Sequence, residues 1–224
     1  MMRYRRSYRR PHKSRFVEMF GDPMTNPKGW PMTKMVEVID HIGNGRSFVC
    51  ESFARTGDNP AILKLGAATW GVYKPDENKA LKPGATYYPD CEVKPGDLLF
   101  TRKNTLDLVG KCAYVRETPP RLMLPDLIFR LETNERIDKV YLANLINNDG
   151  SRAAIQRLAS GSAGSMPNIS KARLLGHTIP LPPLALQREF AAFVEKVYKL
   201  AFAARRRRDV AKQLYRAKIQ EYFG

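Results

Sequence analysis

The sequence has little cysteine. Cys50, Cys91 and Cys112 are the only three, and no two form a CxxC pair. That excludes a disulfide framework and any cysteine-based zinc module, and the three read as small core hydrophobes in a chain kept in a reducing cytoplasm. Histidine is equally sparse: His12, His41 and His177 stand apart with no HxxxH spacing, so no metal site is expected. No apolar run approaches the roughly 18 residues of a membrane-spanning helix, which argues against a membrane partner. The start, with Arg3, Arg5, Arg6, Arg9, Arg10, Lys13 and Arg15, has no hydrophobic stretch behind it and does not read as a signal peptide. Acidic residues are in deficit, 22 against 38 Lys and Arg, and the resulting charge of +16 favours a polyanionic partner, nucleic acid first. What is plentiful is apolar material. At 43% hydrophobic and 10% aromatic, 224 residues can build one well-cored domain plus an extended element.

Composition shifts divide the chain. Residues 1–13 form a basic head expected to be flexible. Residues 14–31 hold a short helix, capped by Ser14 and stopped by Gly21, and a Pro/Gly linker. Residues 32–181 form a mixed α/β (α+β) body. Short apolar or alternating runs at 35–39, 61–65, 97–101, 112–116 and 127–131 read as strands, the third introduced by the turn Lys94-Pro95-Gly96-Asp97. Asp138 and Ser151 are placed to cap helices running to 147 and 158, a polar Gly/Ser loop follows from Ser160, Ser170 caps a short turn, and 178–181 is strand-like. Residues 182–224 change character. Pro183 suits a first helical turn, and Leu186, Phe190, Phe193, Val197 and Leu200 step by fours and threes, the spacing of a coiled-coil seam. The seam fails at the Arg205 to Arg208 run and resumes at Leu214, so a stutter is expected there. A helix of about forty residues cannot bury such a stripe on one small domain, and a second copy or another subunit is expected to cover it.

Candidate DNA-contacting residues follow from side-chain chemistry and loop position. Arg102, Lys103, Asn104 and Thr105 leave the 97–101 strand in a turn-prone stretch, and arginine, lysine and asparagine suit guanine and adenine edges. Lys64, Thr69 and Trp70 follow another strand, and Ser162 and Ser165 lie in a loop whose amides could approach phosphates. The basic head, Arg5, Arg6 and Arg9 among it, would add sequence-independent phosphate contacts. An enzymatic alternative is a magnesium nuclease using Asp90, Glu92 and Lys94. Such sites draw their carboxylates from separate strands, whereas these sit two residues apart. Gly43-Asn44-Gly45-Arg46 lacks the lysine-serine ending of a phosphate loop and reads as a turn. With no Gly-rich cofactor fingerprint and no Asn/Asp-Pro-Pro-aromatic methyltransferase motif, neither catalysis nor a cofactor is expected.

Several phrases carry a family resemblance. The stretch Ile179-Pro-Leu-Pro-Pro-Leu-Ala-Leu-Gln-Arg-Glu-Phe-Ala-Ala-Phe-Val194 resembles the junction in type I restriction-modification specificity subunits where a target-recognition domain ends and the long conserved helix begins at a glutamine. Gly161 to Ser170 resembles the family's Gly/Ser loop, and Lys94 to Phe100 its Gly-Asp strand. Ser14-Arg-Phe-Val-Glu-Met-Phe-Gly-Asp-Pro23 resembles the passage from one conserved helix into the next domain, and Lys218 to Gly224 echoes Arg15 to Gly21. The resemblance implies a non-catalytic subunit that reads one half of a split duplex target. Its implied partners are methyltransferase (modification) and translocase/nuclease (restriction) subunits, with a second copy paired through the C-terminal helix in a half-size subunit. The alternatives from other classes are a sequence-independent RNA or DNA binder and a pure assembly protein.

Overall fold

The computed structural model describes residues 9–161 and 166–223. Its centre is a four-stranded antiparallel sheet in the order β2 (Ile39–Asn44), β8 (Ile128–Thr133), β5 (Leu98–Thr101), β6 (Cys112–Tyr114). Alternation along these strands splits their side chains between two cores. Leu98, Phe100, Cys112, Phe129 and Leu131 face a helical layer, while Leu99, Ala113, Val115 and Ile128 face a smaller sheet. That sheet has the order β4 (Asn78–Ala80), β3 (Ala61–Leu63), β7 (Leu122–Met123), with β3 and β7 parallel. Every residue of β5 is buried, which explains why its sequence is a short apolar run without alternation. A third pairing, β1 (Met32–Lys34) with β9 (Thr178–Pro180), ties the entry of the body to its exit.

The helical layer consists of α1 (Arg9–Phe20), α2 (Lys139–Asn147), α3 (Asp149–Arg157), α4 (Lys171–Leu175) and the first turns of α5 (Leu184–Phe223). Phe16 and Phe20 of α1, Tyr141 of α2 and Phe190 of α5 form one aromatic cluster, with ring centroids 4.8 to 5.7 Å apart. Burial pushes the Tyr141 phenol well above its ordinary range, and its hydroxyl donates to the Pro180 carbonyl at 3.0 Å. Asp138 caps α2, its carboxylate accepting from the amides of Val140 and Tyr141, and Ser170 caps α4.

Three expectations are corrected. Helix α1 starts at Arg9 rather than Ser14, with Pro11 in its first turn, where its missing donor leaves no intrahelical bond unmade, and Lys13 reaching Asp149 at 2.5 Å. Residues 9–13 therefore belong to α1, while residues 1–8 lie outside the described residues. The run at 35–39 is a 3-10 turn, Met35–Glu37, between β1 and β2. Met35 and Val38 are both buried, a spacing of three that a strand would have sent to opposite faces. Helix α3 is capped by Asn148, whose side chain accepts from the Gly150 amide, and Ser151 is buried inside its first turn.

Gly110 closes the β5–β6 connection at φ +71°, and an added Cβ there would overlap Ile155 Cγ2 and lie 3.1 Å from Ile169 Cδ1. Gly110→Ala is expected to lower stability by about 2 kcal/mol through overpacking and left-handed strain. Chemical denaturation of the two chains checks this, and an unchanged midpoint would show that the core yields freely.

Helix α5 leaves the body as it proceeds. Leu186 and Phe193 pack partly against the core, and Phe190 and Val194 are buried in it. Beyond them Leu200 is 72% and Leu214 64% exposed, with Val210, Tyr215, Ile219 and Tyr222 also open. No helix among the described residues is long and apolar enough to cross a membrane.

Candidate nucleic-acid interface

The loops singled out in the sequence meet. The Asn104 amide nitrogen donates to Thr69 Oγ1 at 3.2 Å, joining the 101–105 loop to the 64–70 segment. Its backbone N–H donates to the Pro167 carbonyl at 3.2 Å, and Lys103 bridges Asn168, joining the same loop to the far side of the Gly/Ser loop. Ser162 and Ser165 lie outside the described residues.

Within this junction the residues divide by role. Asn104 is 7% and Thr69 3% exposed. Asn104 Oδ1 accepts from the Thr105 amide at 2.8 Å, and the Thr69 hydroxyl donates to the Leu65 carbonyl at 2.5 Å. Both side chains staple loops from inside, where they differ from the exposed contacts expected of them. Asparagine satisfies turn backbones as readily as it reads adenine, and here the first use prevails.

Arg102, Lys103 and Thr105 keep surface, the first two half-buried. The Arg102 guanidinium lies over the Phe129 ring, 4.9 Å from its centroid, and donates to Asn168 Oδ1 at 3.1 Å, so its plane is held. Lys64 is exposed and pairs loosely with Glu77 at 3.7 Å. Trp70 is half-buried, with the Lys74 ammonium 5.7 Å from its ring centre.

The nuclease candidates serve other ends. Asp90 accepts from Arg46 Nη2 at 2.9 Å, and that hydrogen bond holds its carboxyl below the ordinary value. Glu92 accepts from the Arg121 amide at 2.5 Å and the Tyr87 hydroxyl at 2.7 Å, in that order the causes that hold its carboxyl low as well. Asp90 thus anchors a guanidinium, and Glu92 a backbone amide and a phenol. Among the described residues no group of three or more His, Cys, Asp or Glu could hold a metal.

A second surface was not foreseen in the sequence. The Arg46 guanidinium sits 4.2 Å from the centre of the Tyr88 ring, and that of Arg121 5.5 Å from the Tyr87 ring. Gly45 makes the first placement possible, because any Cβ there would overlap the backbone carbonyls of Leu124 and Pro125. The Tyr87-Tyr88 dipeptide was the available signal, but the arginines join it only through tertiary contacts.

The chain matches the type I restriction modification DNA specificity domain over residues 27–211. It is 29% identical over 193 residues to the type I restriction enzyme EcoEI specificity subunit of Escherichia coli, which covers 85% of this chain and 32% of that protein. The HsdS subunit from Thermoanaerobacter tengcongensis superposes with a TM-score of 0.50 at 19% identity, over 90% of this chain and 46% of its own. A chain from a structure addressing complex assembly and conformational transition of the type I R-M system gives 0.56 at 19% identity, over 97% and 50%. The chain thus spans about a third of the curated relative and about half of each solved one. The solved relatives show the fold, a mixed α+β body continued by a long helix, and the match over 27–211 shows the lineage: the chain belongs to the type I restriction-modification DNA specificity domain family.

Proposed function

We propose that this chain recognises one half of a bipartite duplex DNA target in a cytoplasmic type I restriction-modification system. It does so without a cofactor or catalysis of its own, and docks modification and restriction subunits that do the chemistry. The observation that carries the reading is the family match across 27–211. The body supports it by gathering three polar loops into one junction, with Arg102 held over Phe129 by Asn168 and Lys103 and Thr105 beside it. The second half of α5 supports a docking role, since Leu200, Val210, Leu214 and Tyr215 stay exposed on it.

Sequence-independent binding is favoured by one observation, the placement of charge. The head carries Arg3, Arg5, Arg6, Arg9, Arg10, Lys13 and Arg15 with no acid among them, and α5 carries Arg205 to Arg208, Lys212, Arg216 and Lys218. Charges at the ends of the chain position a duplex through its phosphates, while planar, held side chains on the body select it.

A labelled library of randomised duplexes separates the two. Enrichment of defined bases is expected, and equal affinity for all duplexes would overturn the reading. On the enriched duplex Arg102→Ala is expected to cost about 1–3 kcal/mol and to relax discrimination at one base pair. Equal weakening on every single-base variant would show Arg102 to be a phosphate contact.

A further inference from the structure

We propose that Arg46 and Arg121, each seated on a tyrosine ring outside the β4-β3-β7 sheet, form a second base-reading pair for duplex DNA. The proposal rests on the reading of this chain as a DNA-recognising body and locates a contact surface on it apart from the Arg102 loop.

The surface is built from the sheet outward. Alternation sends Ala61, Leu63 and Leu122 inward to the second core, and Ile62 and Met123 to the opposite face. There the two, with Cys91, form a thin apolar layer covered by Phe48, Cys50, Leu81, Tyr87 and Tyr88. The tyrosine rings close this layer, and the guanidiniums lie on the rings. Glu92 frames the pair: one oxygen accepts from the Tyr87 hydroxyl and the other from the Arg121 amide. Asp90 holds Arg46 through Nη2, and a guanidinium carries five donors, so an edge remains for a ligand.

Arg121 carries an independent sign. Its φ is +61°, a left-handed backbone that glycine adopts freely and arginine does not. Strain of this kind persists where a particular side chain is needed, and here the side chain is exposed and cationic. A packing role would be met as well by glycine.

The occupant follows from shape and charge. Two flat guanidiniums, each lying on a tyrosine ring and that of Arg46 also held by Asp90, lose little freedom on binding and match the paired acceptors O6 and N7 of guanine. Lys79 and Lys82 on the adjoining β4 segment and Lys94 beyond Glu92 are exposed, so cations outnumber Glu51, Asp90 and Glu92 on this face. Val49 and Phe53, 68% and 59% exposed on the neighbouring segment, are side chains of the kind that meet thymine methyl groups.

The test uses the full chain, a duplex enriched from the randomised library, and all its single-base variants. Arg121→Gly is expected to keep or raise the thermal midpoint while weakening binding to the enriched duplex tenfold or more. Arg46→Lys preserves charge but not the planar fork, and is expected to lose roughly tenfold to a hundredfold in discrimination at one base pair. If both variants bind every duplex as the parent does, the pair is not a contact. An equal loss across all variants would make it a phosphate clamp, and a lowered midpoint for Arg121→Gly would make Arg121 structural; either overturns base reading. A parent that selects no duplex at all overturns the proposed function itself, a result separable from these because it appears before any substitution.

Discussion

Replacing Gln187 by leucine is expected to lower the stability of the body by about 3–5 kcal/mol. Gln187 is fully buried in the first turns of α5. Its Oε1 accepts from the Asp138 amide at 2.9 Å, and its Nε2 donates to the carbonyls of Pro182 at 2.8 Å and Arg136 at 3.3 Å. Asp138 is itself the cap of α2, so one amide side chain joins the start of the long helix to the start of a core helix. Leucine has nearly the same volume and creates no cavity, but it takes the partner from three backbone groups, one bond being buried and two part-buried. Each such group costs about 1–3 kcal/mol, which sets the expected range. Gln187→Glu keeps an acceptor for Asp138 but turns oxygen toward two carbonyls, and is expected to be destabilising too. Urea unfolding followed by circular dichroism measures both. A loss below about 1 kcal/mol for the leucine variant would show that the amide is not the joint between helix and body.

That joint illustrates what the sequence made legible. Caps are local: Asp138 and Ser170 announce their helices because the bonds they make lie within three residues, and the structure has them there. The glutamine at the head of α5 stood out only through family resemblance, since its three partners come from backbone at 136–138 and 182. Short apolar runs gave the sheet strands but misled at 35–39, where burial of Met35 and Val38 on one side selects a 3-10 turn. The site was harder still. Arg102 and Lys103 kept their surface, but Asn104 and Thr69 turned inward to bond each other's loops, which no spacing between residues 35 apart could announce. Arg46 and Arg121 are 75 residues apart and meet on a Tyr-Tyr dipeptide between them, so only tertiary structure pairs them. The seam begins inside the body. Phe190 is completely buried among Phe16, Phe20 and other core side chains, leaving it nothing to offer a partner.

The same division decides how self-association should be tested. Leu186, Phe193 and Val197 continue the seam from Phe190, but they are only half-buried, and Phe193 also lies under the Arg15 guanidinium at 5.9 Å. Aspartate at Phe193 would cut into the body, and a lost dimer would then be indistinguishable from a lost fold. Leu200 and Leu214 are different: both are more than three-fifths exposed and lie beyond the core. Covering a leucine contributes about 1.5–3 kcal/mol, so removing two on each of two copies takes away about 6–12 kcal/mol, comparable to the whole of a micromolar dimer's net free energy of about 8 kcal/mol. Leu200→Asp with Leu214→Asp is therefore expected to convert a dimer to a monomer in sedimentation while leaving the thermal midpoint of the body unchanged. Salt gives a second readout. If the two helices run antiparallel with Leu200 against Leu214 of the other copy, the Arg205 to Arg208 runs fall near the two-fold axis, and like charges meet there. Screening them should tighten the dimer, whereas a contact held by ion pairs would loosen as salt rises. A parent chain that stays monomeric at tens of micromolar, with or without a methyltransferase subunit, would sink the proposal that α5 is the docking element, as would a double variant that still sediments as a dimer.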